Sequence, residues 1–299
     1  MFKHYFYIMT RSIHKIIPAQ KVNMGGIILD QSLPVNGVEQ IDPFLLIHHW
    51  ASVLPGGQKE KEAGVGPHPH RGFSPVSLIF KGAVNHRDSL GTTSLIKAGG
   101  AQWMNSGKGI IHSERPPKEL AENGGDFELI QFWANTPANK KLEPAKYQPL
   151  TAEKTPWITS EDGKVKAGIV AGETLGKTGP IELMTPMLVM RFEIGKGGKM
   201  EVPIPKNFNA ILYLLDGKAE INGERHAGGK DLVWFKNDGE SISLEGLEET
   251  RAILLAGEPI DEPLATYGPF VMNNQTQIME ALRDYQMGKM GVLIEEFDS

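Results

Sequence analysis

The sequence predicts an all-β protein of two barrels with one helix near its C-terminus. Three observations carry that expectation. Short apolar or alternating runs follow one another between glycine, proline and asparagine turns. The second half of the chain repeats the pattern of the first. A single late segment, beginning at Asn274, carries apolar residues at helical spacing.

The opening run Met1 to Met9 is apolar and aromatic, but lacks the long apolar core and small-residue cleavage site of a signal peptide. It reads as an extension ahead of the globular text, with Met9 as an alternative start. From Ile27 to Phe132 the runs Val76-Ser77-Leu78-Ile79-Phe80, Ser94-Leu95-Ile96 and Phe127-Glu128-Leu129-Ile130-Gln131-Phe132-Trp133 are strand-like. Between Asn135 and Pro156 the residues Pro137, Pro144, Pro149 and Pro156 interrupt any periodic element, which marks a linker. Strands resume at Val165 and continue to Leu255. There Tyr213-Leu214-Leu215-Asp216-Gly217-Lys218 aligns with Leu78-Ile79-Phe80-Lys81-Gly82-Ala83, and Ala227-Gly228-Gly229 with Ala98-Gly99-Gly100. Such a repeat argues for two barrels of one fold. The expected domains are 1–140, carrying the metal site, and 141–299, a degenerate copy with the terminal helix. In that helix Ile278, Ala281, Leu282 and Tyr285 share one face, Asn274 or Thr276 serves as N-cap, and Gly288 lies beyond the end.

Composition narrows the functional classes. The 299 residues suffice for two cores, and 40% hydrophobic with 22% charged residues is an ordinary globular balance. A formal net charge of −5 gives no basic field to draw nucleic acid or an anionic membrane. Direct nucleic-acid binding is not expected. With no cysteine, disulfides, thiolate nucleophiles and sulfur-ligated clusters drop out, leaving histidine and carboxylate as strong metal ligands. No window is long and apolar enough to cross a bilayer, and the expected location is cytoplasmic. Neither a Walker-type phosphate loop nor a Gly-x-Ser-x-Gly elbow is present, so nucleotide hydrolysis and serine esterase chemistry find no support.

The chemistry concentrates in two segments, Gly66-Pro67-His68-Pro69-His70-Arg71-Gly72-Phe73 and Gly107-Lys108-Gly109-Ile110-Ile111-His112-Ser113-Glu114. Each places two metal-competent side chains at i and i+2, the spacing that puts both on one face of a strand. If the strands face one another, His68, His70, His112 and Glu114 converge. Three imidazoles and a carboxylate suit a divalent first-row metal and leave two octahedral positions open. In the second copy the matching positions hold Pro203, Pro205, Ser241 and Ser243, none a strong ligand, so one metal per chain is expected. His48 and His49 are adjacent and point to opposite strand faces, so both cannot join one site. His86 reads as a hydrogen-bonded hairpin residue, Arg71 as structural and facing away from the metal, and Lys140-Lys141 as a short charged loop.

Paired ligands on two strands resemble the two motifs of the cupin superfamily. The wording around them, His68-Pro69-His70-Arg71-Gly72-Phe73, Gln102-Trp103-Met104-Asn105-Ser106-Gly107 and Gly109-Ile110-Ile111-His112-Ser113-Glu114, resembles the pirin family, as do Asp42-Pro43-Phe44-Leu45-Leu46 and Tyr267-Gly268-Pro269-Phe270-Val271-Met272-Asn273. The resemblance implies a bicupin with one metal, usually iron, held by the residues matching His68, His70, His112 and Glu114. Two departures from the family pattern are Ser74-Pro75, where pirins often read Glu-Thr, and Gly66-Pro67, where an acidic residue is common.

The activity this resemblance implies is that of a quercetin 2,3-dioxygenase, acting with O₂ on a flavonol or related enolic aromatic. Fe(II) is the expected metal, with Mn, Ni, Cu and Zn as alternatives. Glu114 is expected to act as ligand and, when detached, as catalytic base. The alternative is a non-enzymatic iron-binding redox sensor or transcription co-regulator that engages a protein partner through the same ligands.

Overall fold

The computed structural model describes residues 9–297, so of the opening run only Met9 falls among the described residues. The architecture is the all-β one that the patterning predicts. Two compact units are present, one made of Lys21–Lys154 with Ile260–Ser299, the other of Met1–Gln20 with Thr155–Pro259.

Both units are built on one plan. In the first, a seven-stranded sheet runs in the order Lys146–Leu150, Ala101–Asn105, Phe73–Lys81, Gly125–Asn135, Phe44–Leu54, Ile27–Leu33 and Gln20–Met24. A four-stranded sheet orders Val65–His70, Ile110–Arg115, Ala83–Asp88 and Thr93–Lys97. The other unit repeats this with Asp231–Phe235, Asn209–Asp216, Thr250–Gly257, Met187–Ile194 and Val165–Ala171 in its larger sheet, and with Lys199–Pro203, Ser241–Gly246, Lys218–Ile221 and Arg225–Gly228 in its smaller one. The internal repeat is thus realised strand for strand. Each unit is a cupin-like pair of packed antiparallel sheets rather than a barrel closed by hydrogen bonds.

Alternation drives the packing. Lys199–Pro203 alternates exposed and buried residues, sending Met200 and Val202 inward and Lys199 and Glu201 to solvent. Val202 meets Phe192, Leu212 and Leu254 from the larger sheet in one apolar core. Burying each such side chain contributes about 1.5–3 kcal/mol. In the first unit Ile79, Phe127 and Leu129 of the larger sheet pack on Val84 and Ile96 of the smaller.

The two units differ from the expected division at residues 140 and 141. Strand Ile13–Pro18 pairs with Asp231–Phe235, and the C-terminal segment returns to the first unit. The reason lies in pairing partners distant in sequence. Val271 N donates to the Arg71 carbonyl at 3.1 Å, and Phe270, Met272 and Ala265 bury Ile278 and Ala281 of helix Gln275–Gln286. Asn274 caps that helix, its side chain accepting from Gln277 N at 3.0 Å. Arg71, as expected, serves structure: its guanidinium donates to the Lys108 carbonyl at 2.6 Å and to Asp284 at 3.1 Å on the helix.

The proline-rich stretch expected to be a linker is instead part of the first unit. Lys146–Leu150 is an edge strand, and Pro149 is tolerated there because an edge residue can lack an N–H. Lys141, which reads as a charged loop residue, is buried at 1% exposure. Its ammonium donates to the Gly72 carbonyl at 2.6 Å, to Asn135 Oδ1 at 2.7 Å and to the Val271 carbonyl at 3.1 Å. One cation thereby joins the histidine strand's exit, the end of Gly125–Asn135 and the returning tail. Lys141→Met should destabilise the protein by about 2–4 kcal/mol, because it leaves buried acceptors without a donor. Urea unfolding of the full chain measures this, and an unchanged midpoint would refute the assigned role.

Candidate metal centre

Val65–His70 pairs antiparallel with Ile110–Arg115, setting His68 opposite His112 and His70 opposite Ile110. Residues two apart share a face. One ring nitrogen from each of His68, His70 and His112 therefore lies within 4.8 Å of the other two. His70 and His112 are buried and His68 is half-buried.

Each ring has one nitrogen committed and one open. His68 Nδ1 is 2.8 Å from the Gly66 carbonyl, to which it can only donate, so Nε2 carries the lone pair. His70 bonds the backbone of Pro269. Proline has no N–H, so the carbonyl accepts from the ring, and Nδ1 remains buried without a partner. For His112 the assignment passes through two further residues. Asp88 accepts at Oδ1 from the backbone N–H groups of Leu90 (2.9 Å) and Thr92 (3.0 Å), and its Oδ2 lies 3.0 Å from His86 Nε2. Burial pushes the Asp88 carboxyl up, but its bonds from His86 and these amides bring it below the usual range. An ionised carboxylate accepts only, so His86 carries its proton on Nε2 and offers Nδ1 to His112 Nδ1, 3.5 Å away. His112 Nε2 is then left buried and unpartnered.

Burial, reinforced by the neighbouring imidazoles, holds His70 and His112 well below the ordinary histidine value. Both are neutral near pH 7, the state in which an imidazole can ligate. Two orphaned buried nitrogens beside a third directed lone pair form a donor set that fits a divalent cation.

Glu114 stands differently from the expectation. The register shifts between His112 and Glu114, so Glu114 faces Val65, and it falls outside the group of converging imidazoles. The shift places its extra residue in the partner strand, between Val65 and His68; along its own strand Glu114 keeps regular pairing with His86 and the same face as His112. Its Oε2 accepts from Gln131 Nε2 at 2.8 Å, and its Oε1 from Ser77 Oγ at 2.9 Å and from Gln102 Nε2. It still lines the same cavity as His68 and His70.

That cavity, of about 200 Å³, is walled by Leu29, Trp50, Val84, Phe127, Leu129 and Trp133. His48 lines it as well, whereas the adjacent His49 is buried with Nε2 3.1 Å from Glu128, in keeping with the opposite faces read from the sequence. His86 is more than a hairpin residue: it stacks on Tyr147 at 4.0 Å and 15° and orients His112. Sequence reasoning missed Ser77, Gln102, Gln131, Tyr147 and Asp88. Isolated polar residues inside apolar strand runs, as Gln131 is between Ile130 and Phe132, were the available signal. Of the two departures noted, Gly66 serves His68 through its carbonyl, which any residue supplies, and Ser74 bonds Asn105 Oδ1 at 2.8 Å.

Two copies of a cupin-like sheet pair, one bearing a converging histidine triad, define a bicupin with a metal-competent site. Comparison with known proteins agrees. The family model described as Pirin matches residues 27–134, and that described as Pirin C-terminal cupin domain matches residues 189–291. A pirin-like protein of Solanum lycopersicum is 33% identical, covering 94% of this chain and 93% of its own. Human pirin is 34% identical over 85% of this chain and 84% of its own. The crystal structure of a quercetin 2,3-dioxygenase from Acinetobacter baumannii superimposes with a TM-score of 0.89 at 32% identity, covering 96% of this chain and all of that one. The chain belongs to the pirin family.

Asp88→Asn should lower metal affinity about 10- to 100-fold, since partners that orient a ligating histidine carry that much. Ser241→Ala, in the other copy, should leave it unchanged. Competition with a chromophoric chelator reads both; equal losses would show that the Asp88 chain does not set the His112 nitrogen.

Proposed function

We propose that this protein is a metal-dependent dioxygenase that cleaves a flavonol or related enolic aromatic with O₂. The observation that carries the reading is a set of three converging imidazoles, two of which, His68 and His70, line an apolar cavity whose wall also presents a carboxylate. The likeness to a solved quercetin 2,3-dioxygenase supports the substrate class.

His68, His70 and His112 would hold the ion through Nε2, Nδ1 and Nε2 respectively. A redox-capable metal there, Fe(II) in this reading, supplies an electrophilic centre for the enolic oxygen and for O₂. Trp50, Phe127, Leu129 and Trp133 bind a flat aromatic body and exclude water. Glu114 takes the hydroxyl proton, a role open to a carboxylate that lies on the substrate cavity. Ser77, Gln102 and Gln131 act through it: their donors hold the carboxylate in one orientation. Tyr147 fixes Gln102 in turn, donating to its Oε1 at 3.2 Å, which leaves the amide N–H₂ turned toward Glu114.

An oxygen electrode with iron-loaded protein and a panel of flavonols tests the reading. Glu114→Gln should keep most of the metal and lose about 10²-fold or more in rate per bound metal, because an amide accepts no proton. An unchanged rate would remove the base role. No oxygen uptake with any flavonol or enolic aromatic would overturn the enzyme reading in favour of a redox-dependent binding module.

A further inference from the structure

The larger sheet of the metal-site unit carries a row of polar side chains on its cavity face. Gln31 lies opposite His48, His48 opposite Gln131, Gln131 opposite Ser77, and Ser77 opposite Gln102. Residues directly opposite share a face and sit close enough to interact. Most of the row is bonded: Gln31 Oε1 to His48 Nε2 at 2.8 Å, Gln131 Nε2 to Ser77 Oγ at 3.2 Å, and Gln102 Nε2 to Ser77 Oγ at 3.4 Å. Between His48 and Gln131 no such bond closes the row among the described residues, and both line the cavity.

The protonation of His48 is decided by its neighbour. Gln31 Nε2 donates to the Pro34 carbonyl at 2.6 Å, which fixes the amide and turns its oxygen toward the imidazole. His48 must then carry its proton on Nε2 and present Nδ1 as a bare acceptor. Among the described residues no group bonds that Nδ1. Burial pushes this imidazole down to about 4, so it is uncharged through the neutral range. Such a nitrogen suits a hydroxyl donor and offers nothing to a carboxylate or phosphate.

We propose that His48, held by Gln31, is a specificity-determining residue that accepts a hydrogen bond from a phenolic hydroxyl of the substrate. This hydroxyl is distinct from the one that Glu114 deprotonates. His48 stands one strand from Gln131, about 5 Å at the usual spacing, and two strands from Ser77, and both of those residues donate to Glu114. The bound molecule therefore carries a second hydroxyl on an apolar body, matching the cavity's walls. The inference rests on the dioxygenase reading for its choice of flavonols, but not for the acceptor itself.

The test is anaerobic equilibrium binding to zinc-loaded protein, which cannot turn over by redox chemistry. Two ligand pairs are compared: 3-hydroxyflavone with its 7-hydroxy and 4′-hydroxy derivatives, and naphthalene with 2-naphthol. The wild type should bind a hydroxylated member about five- to tenfold more tightly than its parent, and His48→Phe should erase that preference while binding the parent equally. Nitrogen-15 NMR of the wild type provides a readout that needs no variant: the His48 Nδ1 resonance should be that of an unprotonated nitrogen and should shift with 2-naphthol but not with naphthalene. A preference that survives in His48→Phe, no preference in the wild type with either pair, or an Nδ1 that is protonated would each overturn the proposal. A His48-dependent preference for 2-naphthol without any flavonol binding would sink the flavonol reading and leave this one standing. Flavonols bound and cleaved with no hydroxyl preference would do the reverse.

Discussion

A buried imidazole is tolerated when it is neutral and its single N–H has an acceptor, and that requirement organises the metal-site unit. His68 meets it through the Gly66 carbonyl, His70 through the Pro269 carbonyl and His112 through His86 and Asp88. Each partner comes from a different stretch of chain. Each ring keeps one nitrogen over, and one ring nitrogen from each lies within 4.8 Å of the other two, so the bonds that satisfy the N–H groups also leave a ligand set available.

The same requirement accounts for the return of the C-terminal segment. Pro269 reaches His70 because the segment around Phe270 bridges to Arg71, helix Gln275–Gln286 buries its apolar face below, and Lys141 joins the Gly72 and Val271 carbonyls. Gly72 could not be replaced by a larger residue here: at φ +86° an added Cβ would meet the Val271 oxygen at 2.1 Å. The tight approach and the histidine's partner belong to one local arrangement.

The other unit shows what the plan becomes without ligands. Pro203 pairs with Ser241 as His68 pairs with His112, the register that the repeat implies. Its interior is filled by Phe192, Met200, Val202, Leu212, Ile242 and Leu254 in one apolar cluster. In the metal-site unit the corresponding interior is divided, with an apolar core on one side and a polar row with Glu114 on the other. Buried polar groups of that kind stabilise only when fully bonded. That explains why Ser77, Gln102 and Gln131 all converge on one carboxylate.

The sequence by itself determined the class of fold, the duplication, the terminal helix and the three histidines, because all of these follow from local period: two for a strand, 3.6 for a helix, and i, i+2 for ligands on one face. Period also separated His48 from His49 correctly. What period cannot encode is pairing between distant segments. Side-chain donors from Ser77, Gln102 and Gln131 engaged the Glu114 carboxylate, an edge position made a strand of the proline-rich Lys146–Leu150, and long-range pairing carried strand Ile13–Pro18 and the segment that starts at Ile260 across the expected boundary. The ring nitrogen that each histidine leaves open depended on partners as remote as Pro269 beside His70, and Lys141 became a buried tie only because three carbonyl-type acceptors from separate segments met around it. Those outcomes are set by hydrogen-bond completion in the folded interior, a tertiary condition with no signature in the spacing of residues along the chain.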